Sequence, residues 1–249
     1  MIGYSFKVEG IERKAVVKII SKAINQASTY EGPPSFAYKI GCISIDRSGR
    51  VTAPVDEALE NILTALSENG EVAEVTFTMT MKDHTGISLR NLINIISSKE
   101  KLLNTVLGRS DEIIPRALVE AVNAVKFEET EDLALAIKDL STGGLNFDFK
   151  QKIINFSFYN GSLEFETIKA YVALSTLLDK QARKQKYSSF LQKEVDNEKY
   201  AMRCWLLRLG MIGNEYKTSR KILLEKLTGN CSFRTEEALQ VAILNRKTA

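Results

Sequence analysis

The sequence predicts an α+β protein, with an antiparallel sheet and helices in the N-terminal two-thirds and a helical C-terminal third. Three observations carry this reading. Short stretches alternating apolar and polar residues recur as far as Phe158, the two-residue period of half-buried strands. Beyond Leu163 the apolar positions switch to three-and-four spacing and stay there. Strands followed by helices alone give this class. The balance of 44% hydrophobic and 26% charged residues over 249 positions is that of a globular chain, which excludes disordered and collagen-like classes.

Tyr4 to Val8 alternates and reads as a strand, closed by Gly10. A helix follows from about Glu12 to Ala27, its stripe formed by Val16, Val17, Ile19, Ile20, Ala23 and Ile24. Gly32-Pro33-Pro34 interrupts regular structure, and Phe36–Ile40 and Cys42–Ile45 read as strands. Asp46-Arg-Ser-Gly49 is a hairpin turn into Arg50–Thr52. A helix from about Val55 to Glu68 stops at Asn69-Gly70, and Val72–Met81 is a strongly alternating strand. Ser88–Leu107 reads as one or two helices ended by Gly108. Residues 110–142 lack a clear period; Pro115 opens a helix to about Asn123, and Leu133–Leu140 is a second short one. Leu145–Phe149 and Ile153–Phe158 form a hairpin, and four helices follow at roughly 163–186, 195–209, 214–228 and 235–246.

This organisation divides into an α+β region over 1–142 and a hairpin-plus-helix region over 143–249, separate or fused into one compact domain. Gly10-Ile11 with Ile19-Ile20-Ser21 recurs as Gly86-Ile87 with Ile95-Ile96-Ser97, a faint mark of a duplicated βαββ-like unit.

Several chemistries are excluded or thinned. No apolar run approaches the roughly 20 residues of a membrane span, and Met1 leads straight into the first strand without a leader-type apolar core. The three cysteines, Cys42, Cys204 and Cys231, form no CxxC pair and read as small buried thiols of a reduced cytoplasmic protein. A single histidine, His84, at the end of a strand, is the only histidine available as a general base. Gly143-Gly144 lacks the lysine of a phosphate loop, and Asp46, Glu57 and Glu60 are not spaced as a metal loop. The sequence therefore points to no cofactor and no metal. Tyr30–Tyr38 gathers three aromatics around its prolines, as a binding lip or as an edge of the core.

The charge is uneven. From Lys180 to Ala249, fifteen Lys and Arg stand against seven Asp and Glu, a net +8 in a chain of net +3 that leaves −5 on residues 1–179. A basic quarter on an acidic body points to a local site for anions, with a solvated lysine-rich face as the plain alternative.

Two stretches carry a resemblance. Glu9-Gly-Ile-Glu-Arg-Lys-Ala-Val-Val17, Tyr30-Glu-Gly-Pro-Pro-Ser-Phe-Ala-Tyr38 and Ile43-Ser-Ile-Asp-Arg-Ser-Gly49 stand at one end. Val195-Asp-Asn-Glu-Lys-Tyr-Ala-Met-Arg-Cys-Trp-Leu-Leu-Arg-Leu-Gly210, continuing through Met211-Ile-Gly-Asn-Glu-Tyr-Lys-Thr-Ser-Arg-Lys-Ile-Leu-Leu224 to Asn230, stands at the other. Together, over residues 3–52 and 145–233, they resemble the "virulence-related protein" family of Firmicutes prophages and conjugative elements. The resemblance implies an accessory protein of a mobile element, working in the cytoplasm of its bacterial host. It carries over no catalytic residue.

The C-terminal motif supplies the candidate site. On a helix from about Asp196 to Leu209, Lys199 and Arg203 share a face; Gly210 ends it, and Gly213-Asn214 caps a second helix carrying Lys217, Arg220 and Lys221 behind Tyr216. The short connection makes the two helices neighbours. Arg203 and Arg220 are the expected forks for phosphate oxygens, Lys199, Lys217 and Lys221 add field, and Tyr216 lines the wall, while Cys204 and Trp205 belong to the core. The competing reading pairs these cations with Glu198, Glu215 and Glu225. The function expected first is a non-enzymatic counter-defence binder that sequesters a host immune nucleotide signal or a host protein. The alternative is DNA or RNA binding in maintenance or regulation of the element. Cations in a concave pocket favour the first, and cations along a convex exposed helix favour the second.

Overall fold

The computed structural model describes residues 3–125, 127, 129–159 and 164–247. Helix accounts for 45% and strand for 15% of the structure, the α+β class expected. The chain divides into two compact units that exchange strands of sequence: Met1–Asp83 with Thr142–Lys169, and His84–Ser141 with Ala170–Ala249.

The first unit is built on one eight-stranded sheet. Its strands are β1 (Gly3–Glu9), β2 (Thr29–Tyr30), β3 (Tyr38–Ile40), β4 (Ile43–Ile45), β5 (Val51–Pro54), β6 (Glu71–Thr80), β7 (Leu145–Asp148) and β8 (Ile153–Phe156). The order is β2-β3-β4-β5-β1-β6-β8-β7, every neighbouring pair antiparallel. Helix α1 (Arg13–Ala23) follows β1, and α2 (Glu57–Ser67) follows β5. The central order β4-β5-β1-β6 with these two helices is the split β-α-β arrangement of the ferredoxin-like type. A hairpin is added at each edge.

Alternation explains the layers. Tyr4, Phe6, Val51, Ala53, Phe77, Met79, Ile154 and Phe156 are buried, and so are Val16, Val17 and Ile20 of α1 and Leu59, Ile62, Leu63 and Leu66 of α2. Tyr4, Phe6 and Phe77 meet at ring-centre distances of 5.1 and 5.3 Å, and Tyr159 meets Phe77 edge-on at 4.9 Å. Burial pushes the Tyr4 hydroxyl well above the usual phenol range. The intervening residues of the same strands, Ser5, Thr52, Thr76, Thr78 and Asn155, form the opposite, polar face.

Local chemistry sets the boundaries. Asp56 caps α2 by accepting from the Ala58 amide at 3.1 Å. In the turn before β5, the Asp46 carboxylate accepts from the Ser48 and Arg50 amides at 2.8 and 3.0 Å. Helix α1 stops short of Ala27, because Asn25 turns left-handed at φ 51°. Phe36, at φ 53°, likewise lies outside the strand expected from it. Its loop is fastened to α1: Arg13 donates to the Phe36 carbonyl and lies 4.7 Å over the Tyr38 ring.

The second unit is helical: α3 (Gly86–Ser98), α4 (Glu100–Leu107), α5 (Arg116–Ala124), α6 (Thr130–Ala136), α7 (Phe165–Lys184, whose first turn belongs to the sheet unit), α8 (Glu198–Leu209), α9 (Lys217–Leu224) and α10 (Glu236–Lys247). Its centre is α3, buried nearly all round by Leu89, Leu92, Ile93, Ile95 and Ile96. Gly86 admits no side chain, since a Cβ there would lie 2.4 Å from the Glu129 carbonyl oxygen. Gly10, its partner in the sequence repeat, is a turn glycine at φ 81°, so the two positions serve different purposes. Gly108 ends α4 in the left-handed region and Pro115 opens α5, as the sequence predicts. The second short helix of this stretch begins at Thr130, three residues ahead of the expected Leu133. The expected helix start at Leu163 falls outside the described residues.

The gap expected between the helices at 163–186 and 195–209 is a few residues longer at each end: residues 185–197 run as a strap without regular structure. Buried asparagines of α3 satisfy its backbone. Asn91 Nδ2 donates to the Gln185 carbonyl at 2.7 Å, and Asn94 Nδ2 donates to the Ser188 carbonyl at 2.9 Å. Asn94 also exchanges two amide hydrogen bonds with Asn123, at 2.9 and 2.8 Å. Further along, Gln192 reaches Glu100, whose carboxylate accepts from the Ile113 and Ile114 amides at 2.5 and 2.9 Å.

Candidate anion-binding surface

The basic motif forms α8, α9 and the connector between them. Asn197 caps α8 by accepting from the Tyr200 amide at 3.0 Å, and its own amide donates to the Phe233 carbonyl at 2.7 Å. Met202, Trp205, Leu206 and Leu209 are the buried stripe of α8. Trp205 is core, as expected. Cys204 is half-buried, as is Cys231, and Cys42 is exposed, so the thiols are free but not the buried set predicted.

The cations separate into three groups. Lys199, half-buried, and Arg203, exposed, lie on one flank of the buried stripe. Arg208, exposed, is five residues beyond Arg203, about 140° further round the helix, and so lies on the other flank. On α9, Lys217 and Lys221 are exposed one turn apart, while Ser219, Leu223 and Leu224 face inward. Arg220 is turned to the backbone: its Nη1 donates to the Met211 and Gly213 carbonyls at 2.8 and 3.0 Å, tying the 210–216 connector to α9. Tyr216, half-buried, is the N-cap position of α9. Glu198 accepts from the Thr228 amide and hydroxyl, and no ion pair joins Glu198, Glu215 or Glu225 to these cations among the described residues.

This separation gives a first prediction. Arg203→Ala removes an exposed side chain and should leave stability within about 0.5 kcal/mol. Arg220→Ala removes two charge-assisted hydrogen bonds to carbonyls and should cost about 1.5–3 kcal/mol. Thermal melts of the two variants, run side by side, check the difference; equal melting points would refute the assignment.

A second group of cations lies outside the motif. Lys99, at the N-cap of α4, is half-buried, and its ammonium is held below the usual lysine range, first by burial and then by repulsion from Arg208 and Lys193. Three elements thus bring three cations together: the α3–α4 junction, the end of α8 and the strap. None of the three has an acidic partner among the described residues. An anion placed there would relieve the repulsion and bring Lys99 back toward the usual lysine range. Sequence reading missed Lys99 and Lys193, because Lys99 lies 99 residues and Lys193 five residues before the start of α8, and only folding brings them to Arg208.

His84 is the third feature. Its Nε2 donates to Asp179 Oδ1 of α7 at 2.6 Å, and its Nδ1 faces Ser88 Oγ of α3 at 2.9 Å. The order aspartate, histidine, serine is that of a hydrolytic relay, but the relay is sealed. Side-chain exposure is 1% for His84 and 4% for Asp179. The Ser88 hydroxyl is engaged in the capping box of α3, accepting from the Thr85 amide at 2.9 Å and lying 3.0 Å from the Thr85 carbonyl. Arg183 closes the far side on Asp179 Oδ2 at 2.5 Å. A nucleophile must meet its substrate, and Ser88, 5% exposed, does not. The group fastens the start of α3 to α7.

Among the described residues, no group of three or more His, Cys, Asp and Glu side chains is placed to hold a metal ion, and no helix is long and apolar enough to cross a membrane. No protein-family model, no curated protein and no solved structure matches this chain.

Proposed function

We propose that this protein is a non-catalytic binder of polyanions, with the phosphate backbone of DNA or RNA as ligand and the α8–α9 region as the surface that receives it. The observation that carries the reading is the convergence of Lys99, Lys193 and Arg208 without an acidic partner among the described residues. A folded chain that gathers repelling cations pays in stability, and an anion returns that cost on binding. Half-buried Lys199 and exposed Arg203, Lys217 and Lys221 add positive charge on other faces of α8 and α9, a spread-out arrangement suited to a long backbone rather than to an enclosed ligand. The resemblance of the two chain ends to a mobile-element family agrees with a role in maintenance or regulation of such an element.

A second reading rests on the same cluster. Lys99 is half-buried, and a partly desolvated cation also suits a compact anion, such as a nucleotide signal of host immunity sequestered by the element's product.

Salt dependence separates the two. A backbone engaging about five phosphates should lose affinity roughly a hundred- to a thousandfold between 50 and 200 mM salt. Removing one phosphate contact, as in Lys99→Gln or Arg208→Gln, should lower the logarithmic salt slope by about 1. Fluorescence anisotropy with a labelled duplex and a labelled single strand measures both. A nucleotide panel that saturates with a shallow slope would transfer the site to the compact ligand. Binding that leaves Lys99→Gln and Arg208→Gln indistinguishable from the unmodified protein would refute both.

A further inference from the structure

A cross-strand row on the helix-covered face of the sheet runs out of the core into solvent. Phe6 pairs with Val51, Val51 with Ile45, Ile45 with Tyr38 and Tyr38 with Tyr30. Residues directly opposite in an antiparallel pair share a face, so all five side chains stand on the face that α1 and α2 cover. Phe6, Val51 and Ile45 are fully buried, Tyr38 is half-buried, and Tyr30 on the edge strand is 52% exposed. The Tyr38 ring meets the Arg13 guanidinium at 4.7 Å and the Tyr30 ring at 5.0 Å. Arg13 itself is spent on the Phe36 and Ile45 carbonyls, so it fixes this row to the first turn of α1. Tyr38 therefore belongs to the edge of the core, whereas Tyr30 presents a supported ring to solvent.

The same helix carries a stripe of lysines. Lys14, Lys18 and Lys22 follow one another at four-residue intervals, are all exposed, and rise about 12 Å along α1. Helix α1 contains no carboxylate, and none of the three lysines has an ion-pair or hydrogen-bond partner among the described residues. The acids of the neighbouring helix lie on another flank. Glu60 and Glu68 of α2 share a surface hollow with Ala23, which is about 140° round α1 from Lys18. The nearest carboxylates in sequence are Glu12, at the N-cap of α1, and Glu31, which accepts from the Ser35 hydroxyl at 2.9 Å.

We propose that α1 and the β2–β3 edge bind single-stranded nucleic acid, with the Lys14, Lys18 and Lys22 ammonium groups along its phosphates and the Tyr30 ring against one of its bases. A row of unpaired cations tracks a backbone, and an aromatic ring stacks on the face of a base, which an unpaired strand alone offers. Contact with Tyr38 limits the motion of the Tyr30 ring before any ligand arrives, so less freedom is lost on stacking. The surface lies wholly within the sheet unit and rests on none of the cations around Lys99.

The test uses the full chain and two labelled probes, oligothymidylate and oligouridylate of about 15 nucleotides, each also prepared with one photoreactive base. Anisotropy is measured on the unmodified chain and on the Lys99→Gln/Arg208→Gln variant, which separates this surface from the helical one. Both proteins should bind at least one of the strands, with a photo-crosslink at Tyr30. The triple variant Lys14→Gln/Lys18→Gln/Lys22→Gln should weaken binding at least roughly tenfold and lower the logarithmic salt slope by about 2, at about 0.7 for each phosphate. Tyr30→Ala should weaken it roughly five- to a hundredfold, whereas Tyr30→Phe should bind as the unmodified chain does. These substitutions are at exposed positions and should leave the melting temperature unchanged. No binding of either strand, an unchanged affinity in the lysine variant or in Tyr30→Ala, or equal losses in Tyr30→Ala and Tyr30→Phe would overturn the proposal. Crosslinks confined to α8, α9 and the strap, and lost in Lys99→Gln/Arg208→Gln, would also overturn it, while leaving the polyanion surface standing.

Discussion

Asp179→Ala should cost about 3–5 kcal/mol of folding stability, the scale for removing one partner of a buried charged pair. At 2–4 °C per kcal/mol for a chain of this size, the melting temperature should fall by about 10 °C. Asp179 is 3% exposed and holds two groups at once, His84 at 2.6 Å and Arg183 at 2.5 Å. Truncation leaves a buried imidazole N–H without an acceptor and removes the Arg183–Asp179 ion pair. Asp179→Asn keeps an acceptor for His84 and should recover part of the loss. Calorimetry on the three proteins decides the matter. A loss below about 1 kcal/mol for the alanine variant would show that the relay is not a structural latch, and would reopen the question of why an aspartate, a histidine and a serine are lined up behind α3.

The second large effect is expected from the strap. Asn94→Ala removes the hydrogen bond to the Ser188 carbonyl and both bonds exchanged with Asn123, all in a site where Asn94 is fully buried. Leaving an amide and a carbonyl short of partners should cost about 2–4 kcal/mol, at 1–3 kcal/mol for each orphaned group. The consequence for function is more specific. Lys193 belongs to the strap, so loosening residues 185–197 should disperse the cations around Lys99 and weaken polyanion binding in the fraction that remains folded. Hydrogen exchange across 185–197 and anisotropy with the same duplex measure the two halves of the prediction. Faster exchange with unchanged binding would separate the strap from the ligand surface. Unchanged exchange would show that the strap is held without Asn94.

What could be read along the chain was whatever depends on near neighbours. The strands at Tyr4–Val8, Val72–Met81 and the two arms of the 145–158 hairpin follow from alternation, and the turn at Asp46–Gly49 from its own side-chain chemistry. Gly108, Gly210 and Pro115 mark helix ends because their backbone preferences act locally. Residues 110–142 resisted because their order is imported. The Glu100 carboxylate closes the 113–114 backbone, Phe127 and Glu129 close over Gly86, and neither leaves a period in the sequence. The break near 187–194 was legible, but not what holds the strap: its carbonyls are satisfied by side chains roughly ninety residues away, which no local pattern records.

By itself, then, the sequence determined the class of fold, the positive charge of the C-terminal quarter and the identity of the residues that could meet an anion. Local propensity and net charge are properties of composition and short spacing, which survive without a tertiary structure. Only the tertiary structure decided which cations converge. It turned Arg220 to the carbonyls of its own connector, put Arg203 and Arg208 on opposite flanks of α8, and brought Lys99 and Lys193 to Arg208 from elsewhere in the chain. It also closed His84 between α3 and α7. The physical reason is that electrostatic and hydrogen-bond energies depend on distance and burial. Residues far apart in the sequence acquire those only when the two units form.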